Sequence, residues 1–337
     1  MPKKYENMGD GAEEREEAAN KKKKRFTLNP FETVFRKDGK GVEKGELKVL
    51  EKPGFVNYFK LLGRRMNHVF SVNLLTVFGN FPIFFALAAI AYTTREVLGP
   101  DSQIYPVLFG SAYFDHSPVI TALLGIFGRQ DSISMMTTAT YVFLGLTLLL
   151  FITFGPVNAG VAYIIRNIMR GDPVFVWSDF WYAIKKNFKQ ALIFGIIDLL
   201  MIGMLAFDML SYRVNAGLSS INMMLYVISY GMSILYFFIR MYPYLMIVTF
   251  DMSIFKIIKN SVFFAILGFK RNVMALLATV ILVVLDIYLI RLFMPLGLIL
   301  PFVILFGLLQ YTSVYCAFPK IKEIMIDPYY KEVSKAE

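Results

Sequence analysis

Six long apolar stretches constrain this chain more than any other feature of its sequence. They cover residues 69–93, 135–165, 191–212, 219–239, 273–290 and 295–318. An α-helix rises about 1.5 Å per residue, so about 20 residues cross a hydrocarbon core that is roughly 30 Å thick. Lipid offers the backbone no hydrogen bonds, and none of the stretches alternates polar with apolar residues. The pattern therefore predicts membrane-spanning helices rather than a β-barrel.

Composition excludes several other classes of protein. The chain is 56% hydrophobic and 16% aromatic, whereas only 18% of its residues are charged, which is unlike a soluble domain. Its single cysteine, Cys316, excludes an intrachain disulfide framework. Its two histidines, His68 and His116, leave little material for a zinc site or a histidine-based catalytic triad. We therefore expect no metal and no cofactor.

Lysine and arginine are distributed unequally between the two sides of the predicted membrane. Residues 1–68 contain seventeen of them, whereas the 94–134 loop contains only Arg95 and Arg129. Because positive residues accumulate on the cytoplasmic side, both termini are predicted to be cytoplasmic. The net charge of +10 thus follows from topology. No basic stripe is interleaved with stacking aromatics, so we expect no binding to nucleic acid.

The chain divides into four regions. Residues 1–25 mix acidic and basic residues without hydrophobic periodicity, which predicts a disordered cytoplasmic tail. Residues 26–68 are predicted to contain a cytoplasmic linker and a first amphipathic helix. The six-span membrane domain covers residues 69–319 and includes the extracytoplasmic loop 94–134. Residues 320–337 form a second cytoplasmic tail.

Three amphipathic segments, here called the first, second and third elbows, come before the outward spans. They cover residues 56–69, 178–189 and 251–262. In each elbow, apolar residues recur at helical spacing and basic residues flank them, as with Phe180 and Ile184 in the second. We predict that these helices lie on the inner leaflet. The fold class is therefore all-α: a polytopic membrane helical bundle of six transmembrane helices with amphipathic cytoplasmic elbow helices.

The elbows also share short motifs. Lys186-Asn187 is matched by Lys259-Asn260 at an offset of 73 residues, and Arg166 is matched by Arg240 at an offset of 74. Two interpretations stay open. In the first interpretation, the chain contains three parallel two-helix repeats, each made of an elbow, an outward span and an inward span. Alternatively the matches arise by chance, because basic residues beside aromatics recur at any inner membrane edge.

Gly155-Pro156 lies inside the longest apolar stretch, and Gly160 follows about one turn later. Proline removes a backbone hydrogen bond and clashes with the preceding turn, so a kink is predicted here. The glycines permit close approach of a neighbouring helix. We favour a packing kink over a ligand site, because glycine and proline are common in membrane helices.

Asp198 is the candidate centre of an intramembrane polar site, because a carboxylate within a span is costly and is expected to face the bundle interior. Its candidate partners are Asn73, Asn158, Gln310 and a tyrosine hydroxyl. One interpretation is coupling to an ion or ligand, and the other is a protonated aspartic acid that only hydrogen-bonds a neighbouring helix. Arg166 and Arg240 are expected to extend toward the inner headgroups rather than into the bundle.

The start of the second elbow contains a dense group of aromatic residues with one carboxylate. The group comprises Trp177, Asp179, Phe180, Trp181 and Tyr182. A single amphipathic stripe buries only part of such a set, so some aromatic surface is expected to stay exposed at the cytoplasmic rim. That surface is either a site for a protein partner or an aromatic belt at the headgroup level.

A series of motifs in fixed order runs from Gly155-Pro156 to Lys186-Asn187. Between these ends come the segment Asn158-Ala159-Gly160, Tyr163, Arg166 and an acidic-to-aromatic turn over residues 172–177. The series, together with Asn73-Leu74-Leu75 and Tyr242-Pro243, resembles the YesL-like bacterial integral membrane proteins, a domain of unknown function. The resemblance covers residues 50–320. It implies a bacterial plasma membrane and genes that often neighbour carbohydrate ABC importers, with no activity established.

Enzyme motifs are absent from the sequence, which contains no G-x-S-x-G, no H-E-x-x-H and no P-loop. We therefore expect a non-enzymatic membrane protein. By resemblance it is an accessory, regulatory or assembly subunit of carbohydrate ABC import, with the lipid bilayer and the importer's permease subunits as partners. The alternative is a small secondary transporter or channel that uses the intramembrane Asp198.

Overall fold

The apolar stretches form long helices in a computed structural model of the chain, which describes residues 53–98, 131–217, 219–294 and 296–328. The predicted tail 1–25, most of the linker 26–68, the centre of the 94–134 loop and the end of the 320–337 tail lie outside the described residues.

The described elements follow one another in this order: α1 (Phe55–Gly79), α2 (Ile83–Ala91), β1 (Thr94–Leu98), β2 (Asp131–Met135), α3 (Thr138–Thr147), α4 (Leu150–Arg170), α5 (Val176–Asn215), α6 (Ser220–Arg240), α7 (Pro243–Thr249), α8 (Ile254–Leu267), α9 (Phe269–Leu292), α10 (Leu296–Leu300), a π-helical turn (Pro301–Leu305), α11 (Phe306–Ile321) and a second π-helical turn (Lys322–Ile326).

Five helical segments are long and apolar enough to cross a membrane. They are Thr138–Arg170, Val176–Asn215, Ser220–Thr249, Phe269–Leu292 and Gly297–Ile326. A sixth span results if α1 and α2 together make one crossing. The prediction of an all-α membrane bundle is therefore confirmed.

The first predicted span, residues 69–93, is interrupted. α1 ends at Gly79 and α2 begins at Ile83, with Pro82 at the N-cap of α2. Proline cannot donate a backbone hydrogen bond to the preceding turn, so a helix rarely continues through such a residue unbroken. The interruption was not predicted, although Pro82 within the apolar stretch indicates it.

The chain forms two units, of which one contains residues 81–150. In this smaller unit β1 and β2 pair antiparallel, with Thr94 opposite Met135 and Leu98 opposite Asp131. The hydroxyls of Thr137 and Thr140 both donate to the backbone oxygen of Tyr92, at 3.0 and 3.1 Å. The ends of the predicted 94–134 loop thus form a short ribbon, because antiparallel pairing satisfies their backbone groups.

The larger unit contains residues 1–80 and 151–337. In its described part, two segments have every residue buried: residues 155–169 of α4 and the whole of α7. The other helices bury one side and expose aliphatic side chains on the other, which suits contact with lipid. The core therefore lies around α4 and α7, at the end of the spans where the elbows also lie.

The three elbows differ in how they join the helix that follows. The first elbow ends where Arg65 leaves the helical conformation, with φ −114° and ψ 17°. The third elbow corresponds to α8, which is separated from α9 by Gly268. The second elbow runs without a break into its span, as the start of the 40-residue helix α5. The sequence predicts an elbow on the inner leaflet before each outward span, and the second elbow is instead the first part of the same helix as its span.

Candidate functional site

Asp198 forms the centre of a polar cluster between α5 and the segment α6–α7. Its side chain is fully buried, with 0% of its surface exposed. Oδ1 accepts hydrogen bonds from the hydroxyl of Tyr236 at 2.7 Å and from Nε of Arg240 at 2.8 Å. Oδ2 accepts from the same Nε at 3.0 Å and from the hydroxyl of Tyr244 at 2.7 Å. Two tyrosines and one arginine therefore hold a single carboxylate.

The three donors come from a regular pattern in the sequence. Tyr236, Arg240 and Tyr244 are four residues apart, a spacing that places side chains on one side of a helix. Tyr236 and Arg240 lie on α6, and Tyr244 continues the series on α7. A tyrosine hydroxyl is among the partners that the sequence predicts for Asp198, whereas this series of three donors was not predicted. A polar residue on every fourth position of an otherwise apolar span was its signal.

The contacts assign Asp198 a defined chemical state. A carboxylate offers about four acceptor positions, and three donors reach them here: two tyrosine hydroxyls and one Nε–H of Arg240 that is shared between both oxygens. Burying the carboxylate beside an arginine keeps the pair neutral overall, and the extra tyrosine donors offset part of its desolvation cost. The geometry is that of an interhelical ion pair, in which each carboxylate oxygen already accepts from a tyrosine hydroxyl and from the arginine.

Arg240 is less enclosed than its partner, because 35% of its side chain is exposed. The guanidinium carbon lies 5.6 Å from the centre of the Phe154 ring on α4, within range of a cation–π interaction. The expectation that Arg240 extends to the headgroups without an internal partner was wrong, because its Nε binds Asp198. The signal was available: an arginine within reach of a buried carboxylate relieves the cost of both charges.

Arg166 also departs from the expectation, because it is buried in the core with 5% of its surface exposed. Its Nη1 donates to the backbone oxygen of Val248 at 2.6 Å, and its Nη2 donates to Oδ1 of Asn167 at 3.0 Å. The guanidinium also lies 4.6 Å from the centre of the Tyr163 ring. Arg166 thus joins the end of α4 to α7 instead of extending to the membrane surface.

The other three members of the candidate polar site lie elsewhere in the bundle. Asn73 donates to the backbone oxygen of Phe302 at 2.6 Å and accepts from the backbone N–H of Gly307 at 2.8 Å. Gln310 donates to Oδ1 of Asn158 at 3.2 Å. The structure brings Asn158 and Gln310 together and brings neither of them to Asp198. Asn73, Asn158 and Gln310 thus each form a hydrogen bond with another helical segment, and hydropathy alone does not predict which segments are neighbours.

Gly155 of α4 and Gly195 of α5 lie at a close crossing of the two helices. Gly195 comes three residues before Asp198 in the sequence. A Cβ on Gly155 would lie 2.8 Å from Cα of Gly195 and would overlap the backbone oxygen of Ala191. A Cβ on Gly195 would lie 2.6 Å from the backbone nitrogen of Gly155. The two backbones are therefore in direct contact. Pro156 lies inside α4, and the interruption of regular helix comes earlier, at Leu148 and Leu149, than the predicted kink.

Gly160 belongs to a second contact of α4, with the second elbow. A Cβ at this position would lie 2.7 Å from the Phe180 ring and 3.2 Å from the Ile184 side chain. Phe180 and Ile184 are both buried, and the rings of Tyr163 and Tyr182 are 5.9 Å apart. The second elbow is therefore packed on α4 along the same side as the span that follows it.

The outer side of the second elbow is aromatic and exposed. Trp177 has 63% of its surface exposed, and Trp181 and Tyr182 have 44% each. The two tryptophan rings meet edge to face at 5.8 Å. The carboxylate of Asp179 has a different role from these aromatic side chains. It accepts a hydrogen bond from the backbone N–H of Phe175 at 3.0 Å and so stabilises the start of α5. Among the described residues, no group of three or more potential metal ligands is present.

Comparison with known proteins places part of this region in a family. Residues 134–209 match the model of DUF624, described as a protein of unknown function. The match contains Asp198, the Gly155–Gly195 crossing and the second elbow, whereas Tyr236, Arg240 and Tyr244 lie beyond it. No curated protein and no solved structure shows a significant match to the chain. Residues 134–209 are therefore a DUF624 region, the domain of unknown function that the sequence motifs predicted.

Proposed function

We propose that the protein is a non-enzymatic bacterial membrane protein that binds a partner complex through the exposed aromatic side of its second elbow. The observation that carries this proposal is a change in the exposed side chains along α5. From Ile193 to Val214 the exposed large hydrophobic residues are aliphatic, Met or Phe, and the exposed, charged Arg213 comes only at the far end. Before Gln190 the exposed side instead contains the aromatic residues Trp177, Trp181 and Tyr182. Exposed lysines follow Tyr182 and precede the exposed Phe188.

The length of α5 supports a position of this change near a membrane edge. A helix of 40 residues is about 60 Å long, twice the thickness of the hydrocarbon core. If the core ends near Arg213, about 20 residues bring its other edge close to Ile193. The first turns of α5, which contain the tryptophans, then extend beyond the core.

The elbow is also held in place independently of any partner. Phe180 and Ile184 pack against Gly160, so the exposed aromatic residues are fixed on a buried base. Rigid aromatic side chains that lose little entropy on binding commonly dominate the binding energy of protein interfaces. These properties favour a docking surface over a flexible anchor.

The nature of the partner rests on the resemblance to YesL-like proteins, whose genes often neighbour those of carbohydrate ABC importers. We propose the importer's permease subunits as the partner, with an accessory or assembly role for this protein. The same resemblance, together with the distribution of lysine and arginine, favours a bacterial plasma membrane with both termini in the cytoplasm.

The alternative, a small transporter or channel that uses Asp198, receives less support from the geometry. A proton or substrate at Asp198 would compete for the carboxylate with Arg240 and two tyrosine hydroxyls. The transporter hypothesis predicts proton-linked uptake in proteoliposomes that disappears in Asp198→Asn. The docking hypothesis predicts no such uptake.

The test of docking is co-purification from native membranes in mild detergent. We expect the double variant Trp177→Ala/Trp181→Ala to lose the importer subunits by about tenfold or more, because central aromatic contacts are worth 2 kcal/mol or more. The matched control is Phe207→Ala/Leu210→Ala, which removes exposed apolar side chains from the lipid-facing part of the same helix. Retention of the subunits at wild-type yield in the tryptophan variant would contradict the proposal.

The orientation is tested separately with introduced cysteines in a background that lacks Cys316. A cysteine at Ser178 should not react with a membrane-impermeant reagent added outside intact cells, whereas one at Ser117 should react. Labelling of Ser178→Cys from outside would place the second elbow on the wrong side for a cytoplasmic partner.

A further inference from the structure

The third elbow, formed by α8, has two sides of different chemistry. Ile257, Ser261 and Phe264 are buried against the bundle. The opposite side exposes Phe255, with 78% of its surface exposed, and Phe263. This elbow is therefore fixed to the protein along one side and leaves large aromatic side chains unburied along the other.

Lysines lie among these exposed aromatic residues. Lys259 is one helical turn from both Phe255 and Phe263, and Lys256 lies beside them, so cations and rings share one side of the helix. α8 contains no acidic residue, and the one carboxylate of the third elbow, Asp251, lies three residues before α8 begins. Within the part of the chain that the structure describes, neither lysine forms an ion pair or a hydrogen bond. The side is thus both apolar and positively charged.

A fixed break separates this elbow from its span. A Cβ at Gly268 would lie 2.8 Å from the backbone oxygen of Phe264 and would overlap the hydroxyl of Tyr242. Gly268 therefore has no space for a side chain at the point where α8 ends and α9 begins, and its φ of −91° and ψ of 11° interrupt the helix there. A short amphipathic helix that is not continuous with its span is typical of helices that lie in the plane of the membrane surface.

The first elbow repeats the same arrangement. Leu61 and Leu62 are buried, whereas Phe55 and Phe59 are exposed beside the exposed Lys60. This elbow also ends at a break, at Arg65, and α1 contains no acidic residue. Two separate segments thus combine a buried side, a break and an exposed side of aromatic and basic residues.

We propose that the first and third elbows bind acidic phospholipids, with the aromatic rings inserted among the acyl chains and the basic groups on the headgroup phosphates. The charge of the two surfaces selects this occupant. Exposed aromatic rings alone would suit any lipid, whereas the lysines, which form no ion pair in the described part of the chain, favour negatively charged headgroups by about 1 kcal/mol each near a membrane surface. That energy corresponds to about a fivefold preference for each lysine.

The test uses the purified full-length protein in mild detergent with equal amounts of phosphatidylglycerol and phosphatidylcholine. The ratio of the two lipids retained on the protein is measured by native mass spectrometry. We expect the wild type to retain phosphatidylglycerol preferentially. In Lys256→Gln/Lys259→Gln this preference should fall by about fivefold for each lysine removed, with unchanged insertion and melting temperature.

The matched control is Lys185→Gln/Lys189→Gln, which removes two exposed lysines from the second elbow, where no break turns the helix aside. This variant should keep the preference for phosphatidylglycerol. Equal retention of the two lipids by the wild type would overturn the proposal, as would an equal loss in both double variants. An acidic protein that binds this side of α8 in place of lipid would overturn it as well.

Discussion

The second and third elbows begin from similar sequences and join their spans differently. Both contain a Lys-Asn pair, and both bury an apolar stripe against the bundle. The third ends at Gly268 and is a separate helix, whereas the second continues into α5 without interruption. The same amphipathic pattern therefore gives a separate helix in one case and the first turns of a 40-residue helix in the other.

The difference follows from residues at the junction rather than from the amphipathic stripe. Glycine destabilises a helix interior by about 1 kcal/mol relative to alanine and readily adopts the conformations found at helix ends. Gly63 precedes the break in α1, and Gly268 forms the break after α8. Helix α5 has no glycine between Val176 and Phe194, so the second elbow has no such junction. The first glycine of α5 is Gly195, which lies at the close crossing with α4.

The largest effect is expected from the polar cluster that holds α5 in place. Arg240→Gln leaves the fully buried carboxylate of Asp198 without its charge partner. Loss of one member of a buried ion pair costs about 3–5 kcal/mol, so we expect a decrease of that size in the free energy of unfolding in detergent. Arg213→Gln, at the exposed far end of α5, is the control and should change it little.

The double variant Asp198→Asn/Arg240→Gln sharpens this prediction. Replacing both partners removes the buried charges together, and the amide oxygen at position 198 can still accept from Tyr236 and Tyr244, so most of the lost stability should return. If the double variant is as unstable as Arg240→Gln, the cluster does more than hold two helices together. Denaturant titration of the purified variants measures all of these differences.

A smaller effect is expected at the glycine crossing. Gly195→Ala introduces a Cβ against the backbone of Gly155, which cannot rotate away as a side chain can. Overpacking of this kind typically costs about 1–3 kcal/mol. Gly203→Ala on the same helix is the matched control, because no atom lies within 4 Å of its added Cβ. The control should be neutral or stabilising, and an equal loss in both variants would contradict the crossing.

The smallest effect comes from giving the second elbow a junction like that of the third. Lys189→Gly places a glycine between the elbow and its span and should cost about 1 kcal/mol in helix stability. We expect the tryptophans to move closer to lipid, which a blue shift of their fluorescence in liposomes would report. Lys189→Ala is the control. An identical spectrum in the two variants would show that the contact of Phe180 with Gly160 fixes the elbow without help from helix continuity.

The sequence predicted the parts of the fold that depend on composition along the chain. Long apolar runs identified the spans, and the spacing of Phe180 and Ile184 identified the buried side of the second elbow. The absence of a glycine between the second elbow and its span also indicates that α5 is continuous, but this continuity was not predicted. The break at Pro82 was readable in the same way.

The polar contacts were harder to predict because they depend on which helices are neighbours. Asp198 was identified as a buried carboxylate from its position in a span, yet Arg240 was assigned to the membrane edge because it ends an apolar run. Its Nε lies 2.8 Å from Oδ1 of Asp198 only because α5 and α6 pack side by side at that level. Asn158 and Gln310, 152 residues apart, are likewise joined only by the packing of the bundle.

The proposal that the second elbow extends clear of the lipid is tested most directly by tryptophan fluorescence, because Trp177 and Trp181 are the only tryptophans in the chain. The protein is reconstituted into liposomes and exposed either to acrylamide in the aqueous phase or to lipids with brominated acyl chains. We predict strong quenching by acrylamide and little by the brominated lipids. A Phe255→Trp variant that lacks the native tryptophans should show the reverse for the third elbow. Strong quenching of the native tryptophans by brominated lipids would make the second elbow a membrane anchor and contradict its role as a docking surface.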